Sequence, residues 1–339
     1  MEDAEGRNGI TPAAEVPSGL DSAYSGDIQS ETTSLSSSIA AHRFENGRRY
    51  HTYKGAADTQ YWAPNDDDQN DQLDIAHHIF NLIMDGNLSL APIDKEKPHQ
   101  VLDLGTGTGI WAIDFADENP QANVIGVDLS PTQPHWVPSN CCFQVDDITE
   151  NWTFAEDSMD FIHIRALYGS IKDWPALYEK CMRHLKPGGW LEQVEYSADW
   201  ISDDDSIPVG HIFHKASDWY NGAGDKMGQT FRIWELAKDY IDQAGFVNTV
   251  ERRFKMPLGP WPADKKMKEI GRWHLLEAYQ GIEGWTLALY TRILGWSVEE
   301  VQRFLAEVRA GFEDRSIHAY TRGSIVYGQK PLHSTASSL

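Results

Sequence analysis

Three cysteines in 339 residues are too few for a disulfide framework. Two of them, Cys141 and Cys142, are adjacent and lack the C-x-x-C spacing of zinc or redox sites, so Cys141, Cys142 and Cys181 read as structural thiols of a reducing compartment. Long apolar runs are also missing. Nothing approaches roughly 18 consecutive apolar residues, and the opening MEDAEGRNGITPAAEV is acidic and polar where a secretory signal is basic and then apolar. Positive charge is in deficit, with 29 Lys and Arg against 51 Asp and Glu and a formal charge of -22. Such a field repels phosphate backbones and anionic lipid heads, so neither nucleic acid nor a membrane surface is an expected partner. Internal repeats and heptads are absent. These absences leave an intracellular protein, cytoplasmic with a nuclear setting as the alternative, long enough for a sizeable core.

What is there divides the chain. Residues 1–43, including SETTSLSSSIAA, lack the apolar periodicity needed to offset ordering entropy and read as a disordered tail, as do 333–339. Residues 44–96 carry an aromatic lead-in loop and then Leu73, Ile75, Ala76, Ile79, Phe80 and Ile83 at helical spacing. Within 97–200, five short apolar runs begin at Gln100, Asn123, Cys141, Met159 and Trp190, the last after the turn KPGG, and helical stretches separate several of them. That alternation predicts a parallel sheet covered on both faces. Residues 201–332 read as a helical cap with the last two strands. Helices are expected over 208–220, 230–244, 265–281 and 297–311, and strands in FVNTVERRFKMPLG and HAYTRGSIVYGQKP.

The chemistry starts at VLDLGTGTGIWAIDFA. A strand that breaks into a glycine turn and restarts as a helix is expected to aim its first amides at an anionic or polar nucleotide-like ligand. The dinucleotide fingerprint G-x-G-x-x-G is not met, because the glycines fall at Gly105, Gly107 and Gly109. Asp103 also sits two residues before the first glycine, where it repels a diphosphate and attracts a cation. No G-K-[ST] follows for a P-loop. The remaining common ligand is S-adenosylmethionine, cationic at its ammonium and sulfonium. Asp128 closes the second strand and can take both ribose hydroxyls. Asp147 in VDDI can accept from an adenine amino group beside the Ile148 amide, with Asp146 the competing choice. Thr106 and Leu129 complete the turn and the ribose edge, and Arg165 ends the fourth strand.

Through YHTYKGAADTQYWAPND, VLDLGTGTGIWAIDFADENP, VIGVDLSPTQPHWVPSNCCFQVDDITENW, FIHIRALYGSIKDW and HLKPGGWLEQVE, the chain resembles the LaeA-like fungal methyltransferases over roughly residues 45 to 330. The resemblance implies the Rossmann-like α/β fold of class I S-adenosylmethionine-dependent methyltransferases, a mostly parallel seven-stranded sheet with its last strand antiparallel, helices on both faces and a helical insertion near the C-terminus. It implies Asp103 to Gly109 around the methionine moiety, Asp128 on the ribose, and Asp147 with Ile148 at the adenine. The GTGTG and DLSPTQPHWVP forms look closer to the biosynthetic members than to the regulator that names the family.

Methyl transfer from a sulfonium releases a neutral thioether, so alignment supplies much of the gain, up to about 7 to 11 kcal/mol. A base is needed only where the acceptor still holds its proton. Candidates lie after the fourth and fifth strands: Tyr168 and Glu195 for acceptor contact, with Glu192 and Tyr196 beside them. His163 reads as a satisfied core histidine, and His77 and His78 cannot both face one ligand. His211 and His214 lack a third ligand, so no metal is assigned. Thirteen tryptophans, seven of them after the fifth strand, suit scaffold packing and an apolar acceptor pocket. Tyr50, His51, Tyr53 and Tyr61 are placed to fold over the cofactor. The expected activity is methylation of a small molecule in fungal secondary metabolism. The rivals are a regulator working through nuclear protein partners and a non-methylating enzyme that keeps the cofactor as a structural element.

Overall fold

The computed structural model describes residues 42–53, 61–94, 96–97 and 99–332, and the two expected tails fall outside these except for His42 and Arg43. Those two begin an element that the sequence reading took for loop. Strands β1 (His42–Glu45) and β2 (Arg48–His51) form an antiparallel hairpin. Its turn is Asn46–Gly47, both with positive φ (50° and 81°), as a two-residue hairpin turn of this hand requires.

Helix α1 (Asp67–Ile83) starts where Asp66 accepts the Gln69 amide, earlier than its apolar periodicity indicates. The sheet follows with β3 (Gln100–Leu104), α2 (Ile110–Glu118), β4 (Asn123–Asp128), β5 (Cys141–Val145), β6 (Met159–Arg165), α3 (Trp174–His184) and β7 (Leu185–Tyr196). The cap and closing strands are α4 (Ile212–Met227), α5 (Ile233–Gln243), β8 (Val247–Pro257), α6 (Lys265–Ala288), α7 (Val298–Glu313) and β9 (Tyr320–Gln329). Two boundaries move for physical reasons. KPGG is part of β7 rather than a turn before it, because Leu185 already pairs with Met159 and a bulge absorbs the mismatch before Trp190 pairs with Phe161. Helix α6 runs past 281 to Ala288 and continues as a π-helical turn, Leu289–Leu294, that ends on Gly295.

The seven strands lie in the order β5-β4-β3-β6-β7-β9-β8. The first five are parallel and β9 runs antiparallel to both neighbours. Alternation sends each strand's residues to two faces. Leu102, Leu104, Ile162, Ile164, Leu191 and Val326 pack with α3 and α5. On the other face Val101 and Phe161 pack with α2, while Val194 and Ile325 pack with α1 and α6. A further core joins α4, α6 and α7 through Phe213, Tyr220, Leu305 and Val308. The order reverses between β3 and β6, which puts a crevice at the carboxyl ends of the central strands.

Candidate functional site

That crevice is a cavity of about 430 Å³. It gathers Asp103, Gly105, Thr106, Gly107, Asp128, Leu129, Asp146, Asp147, Ile148 and Arg165, ten of the eleven residues expected at the cofactor. Gly109 stands behind them as the left-handed residue that starts α2. A Cβ there would sit 2.4 Å from the Phe143 ring. At Gly105, φ is 71° and a Cβ would come within 2.5 Å of the Leu167 side chain. These glycines therefore answer to the protein's own close packing and to positive φ.

The expectation that the turn aims free amides at a ligand is corrected. The amides of Gly105 and Thr106 both donate to the Val127 carbonyl (2.8 and 3.0 Å), and that of Gly107 donates to Asp128 Oδ2 (2.9 Å). The turn is closed onto β4, so the ligand must be held by side chains more than by an amide cradle.

Register sets those side chains. Asp103 pairs across to Gly126 and Asp128 to Val145, so three strand ends place carboxylates on one rim. Asp103 is 3% exposed; its Oδ2 accepts from the Thr106 hydroxyl (2.5 Å) and its Oδ1 meets His163 Nδ1 (2.8 Å). His163 stacks on Trp111 at 3.7 Å, and burial holds its pKa below the usual value despite Asp103. It is a core residue, with Nδ1 satisfied and Nε2 without a partner among the described residues. Burial lifts Asp128 to about 6, although the Gly107 and Ser130 amides work against the rise. Asp146 Oδ1 accepts from the Tyr53 hydroxyl (3.0 Å) and from the Asp147 amide (2.8 Å), whereas Asp147 Oδ1 is taken by Thr149.

Arg165 supplies the opposite sign. Its guanidinium reaches His77 Nδ1 (3.0 Å) and lies 5.3 Å from the Phe80 ring centre. Among the described residues no carboxylate forms an ion pair with it, and burial lowers its pKa to about 10. His77 is buried between Arg165, Asn81 and Asp114, and His78 packs on Trp273, so neither faces the ligand. An acid and an unpaired cation in one cavity match the ammonium and carboxylate of an amino-acid moiety, and Asp128 matches a diol. The residues present thus fit an adenosyl amino acid.

The hairpin and the segment after it bring His51, Tyr53 and Tyr61 to the same cavity, while Tyr50 packs under Arg292 (4.3 Å) and away from it. His211 caps α4 by accepting the Phe213 amide.

A second cavity, about 30 Å³, is lined by Trp62, Tyr168, Tyr196, Trp200, Tyr220, Phe231, His274 and Trp285, with smaller residues between. Two pairs of consecutive residues form the wall between the cavities. Tyr61 and Leu167 face the first, Trp62 and Tyr168 the second. Glu195 lines neither. It is fully buried, with its oxygens taken by the amides of Leu167 (3.0 Å) and Tyr168 (3.2 Å) and by Gln193. Direct acceptor contact does not fit that placement; Glu195 fixes the loop that carries Tyr168. Glu192 also lines neither cavity: its Oε2 accepts from the Leu90 and Ala91 amides and the Ser89 hydroxyl, and its Oε1 is buried without a partner among the described residues. Trp62 and His274 were missed in the sequence because no spacing relates them to the motif.

A family profile described as a methyltransferase domain matches residues 75–250. The methyltransferase pytC of Aspergillus terreus is 39% identical over 95% of this chain and 99% of its own length. The secondary metabolism regulator LAE1 of Cochliobolus heterostrophus is 37% identical over 85% of this chain and 94% of its own. The protein-methionine methyltransferase laeA of Emericella nidulans is 36% identical over 85% and 76%. Among solved structures, phosphoethanolamine N-methyltransferase 2 of Haemonchus contortus with S-adenosyl-L-methionine is 16% identical over 90% of this chain and 74% of that one, at a TM-score of 0.48.

Proposed function

The chain belongs to the methyltransferase family whose domain it carries over residues 75–250, with S-adenosylmethionine as methyl donor, and on that premise we propose that it methylates a small apolar molecule in secondary metabolism. The donor supplies an electrophilic methyl on a sulfonium. Arg165 and Asp103 would hold its amino-acid end, Asp128 its ribose, and Asp147 with Ile148 its adenine.

The observation that carries the acceptor reading is the shared wall. The second cavity lies one residue away from the first along two separate segments, and its lining is aromatic. At about 30 Å³ this recess takes little more than one small group, so it would receive the reacting end of the acceptor while the rest of the molecule lies outside it. Helices α4 and α6 contribute Tyr220, His274 and Trp285 to that lining. Likeness to a methyltransferase along nearly the whole chain supports the same reading.

A second reading has its own support: relatives at 36–37% identity carry the names of a regulator and of a protein-methionine methyltransferase. The test is where the methyl goes. Incubation of the full chain with methyl-labelled S-adenosylmethionine and an unfractionated fungal extract is expected to place label in the low-molecular-weight fraction. Label confined to the protein fraction overturns the small-molecule reading in favour of the second.

A further inference from the structure

Behind the second cavity lies a buried hydrogen-bonded row. The Tyr168 hydroxyl donates to the Tyr196 hydroxyl (2.9 Å), which donates to Glu277 Oε1 (3.4 Å). Both phenols line the cavity, and Glu277, on α6, is 1% exposed. Gln72 on α1 anchors the same Oε1 (2.8 Å) and is itself held by Gln69 (2.5 Å). Glu277 Oε2 is buried with no partner among the described residues. A carboxyl group in this position has no fold-holding ion pair to account for it, and isolating one from water is costly. The row runs one way, from the chamber to the carboxylate.

We propose that Tyr168, Tyr196 and Glu277 form a proton relay that deprotonates the acceptor, and hence that the acceptor is a molecule that still holds its proton, such as a phenol or an alcohol. This rests on the second cavity being the acceptor chamber. The acceptor's O–H bond breaks as its oxygen bonds the methyl carbon. The proton goes to the Tyr168 oxygen, the Tyr168 proton to Tyr196 and the Tyr196 proton to Glu277, while the carbon–sulfur bond breaks with its electron pair left on the neutral thioether. Both tyrosines end as they began, and Glu277 ends protonated.

Burial supports the assignment by raising Glu277 to about 8, near the pH at which a base must release its proton again. His274, one turn earlier, lines the same chamber with Nδ1 on the Pro257 carbonyl, but burial lowers it to about 4, too weak to retain a proton at neutral pH. The other titratable groups around the row are Glu195 beneath the Tyr168 amide, Tyr61 across the wall and Arg165 toward Tyr196. Gln72, which α1 presents to Glu277, and Gln69 behind it are neutral.

The test compares wild type, Glu277→Gln, Glu277→Asp and Tyr196→Phe as full-length chains. The label-transfer assay is run from pH 6 to 9.5 on whichever fraction accepts the methyl, beside calorimetric binding of S-adenosylhomocysteine. In the wild type kcat is expected to rise through about pH 8 and level off. Glu277→Gln and Tyr196→Phe should lose that limb and about 100-fold in kcat, with S-adenosylhomocysteine affinity within twofold, and Glu277→Asp should recover part of the rate. Infrared spectra add a readout that needs no acceptor. A protonated-carboxyl band that titrates near pH 8 should vanish in Glu277→Gln and shift in Tyr196→Phe. Variants that keep the limb and the rate, or a band indifferent to Tyr196→Phe, overturn the relay. Label in protein alone overturns the chamber reading instead, and the limb then judges the relay on that acceptor.

Discussion

The two cavities are built by opposite means. The donor cavity takes its polar residues from the ends of β3, β4, β5 and β6, all within 103–171 apart from the hairpin, α1 and Tyr61. Parallel register fixes where they stand, and the N-terminal segment adds Tyr53 to Asp146 and His77 to Arg165. The second cavity, the proposed acceptor chamber, draws on Trp62, Tyr168, Tyr196, Tyr220, Phe231, His274, Trp285 and Thr321, one or two residues from each of many elements. Its shape is a property of packing. A backbone-fixed site can be specified by spacing, whereas a packing-fixed one can change its guest through single ring substitutions without disturbing the donor.

The largest expected separation comes from Phe231. It is 2% exposed and its ring lies 5.5 to 6.2 Å from those of Trp62, Tyr168 and Tyr220. Phe231→Ala should cost about 3 to 5 kcal/mol in denaturant unfolding. S-adenosylhomocysteine affinity, measured by calorimetry at a temperature where the variant is folded, should stay within twofold. A parallel fall in that affinity would mean the two cavities are one packing unit.

The reverse experiment is Asp128→Ala. Charge-assisted bonds to a ribose diol are each worth roughly 1.5 to 3 kcal/mol. Binding of S-adenosylhomocysteine should weaken about 100-fold. The quenching of intrinsic tryptophan fluorescence by acrylamide, which reports the ring-lined chamber and cap, should not change.

Legibility follows the same division. GTGTG, Asp128 and VDDI were readable because strand, turn and helix are local and the register carries the rest. Even there the amides misled: a glycine turn looks alike whether its N–H groups face a ligand or, as for Gly105 and Thr106, the Val127 carbonyl. The hairpin was missed although Asn46–Gly47 is a turn signal, since its flanks RFE and RRYH show no apolar alternation. Tyr196 was noted beside the fifth strand, but its link to Glu277 spans 81 residues and depends on how α6 lies across the sheet. The π-helical turn at Leu289–Leu294 has no composition signal at all.

Titration sharpens the comparison by about tenfold in affinity and by several degrees in melting. Burial raises Asp128 to about 6, Glu192 and Glu195 to about 7 and Glu277 to about 8, each above its unfolded value. The folded state therefore favours their protonated forms. The stability they contribute is full below about pH 4 and is lost as pH rises through 6 to 8. Melting of the free protein should fall between pH 5.5 and 8.5, and Glu277→Gln should flatten the part above pH 7. Donor affinity should move the other way, because a diol is held best by ionised Asp128. The ionised fraction grows roughly tenfold from pH 5 to 7, and S-adenosylhomocysteine affinity should follow.

The smallest effect decides between two neighbouring acids. Asp146 already receives the Tyr53 hydroxyl and the Asp147 amide on one oxygen, so it ties the hairpin's exit to the end of β5. Asp147 spends one oxygen on Thr149 and keeps the other for the cavity. A single hydrogen bond to an adenine amino group is worth about 1 kcal/mol. Asp147→Ala should therefore weaken S-adenosylhomocysteine about fivefold and leave the affinity for S-inosylhomocysteine, which presents a carbonyl at that position, unchanged or improved. Asp146→Ala should weaken both analogues alike, through loss of order at Tyr53. Equal losses from the two analogues in Asp147→Ala would move the adenine contact to Asp146, and with it the point where the hairpin bears on the donor cavity.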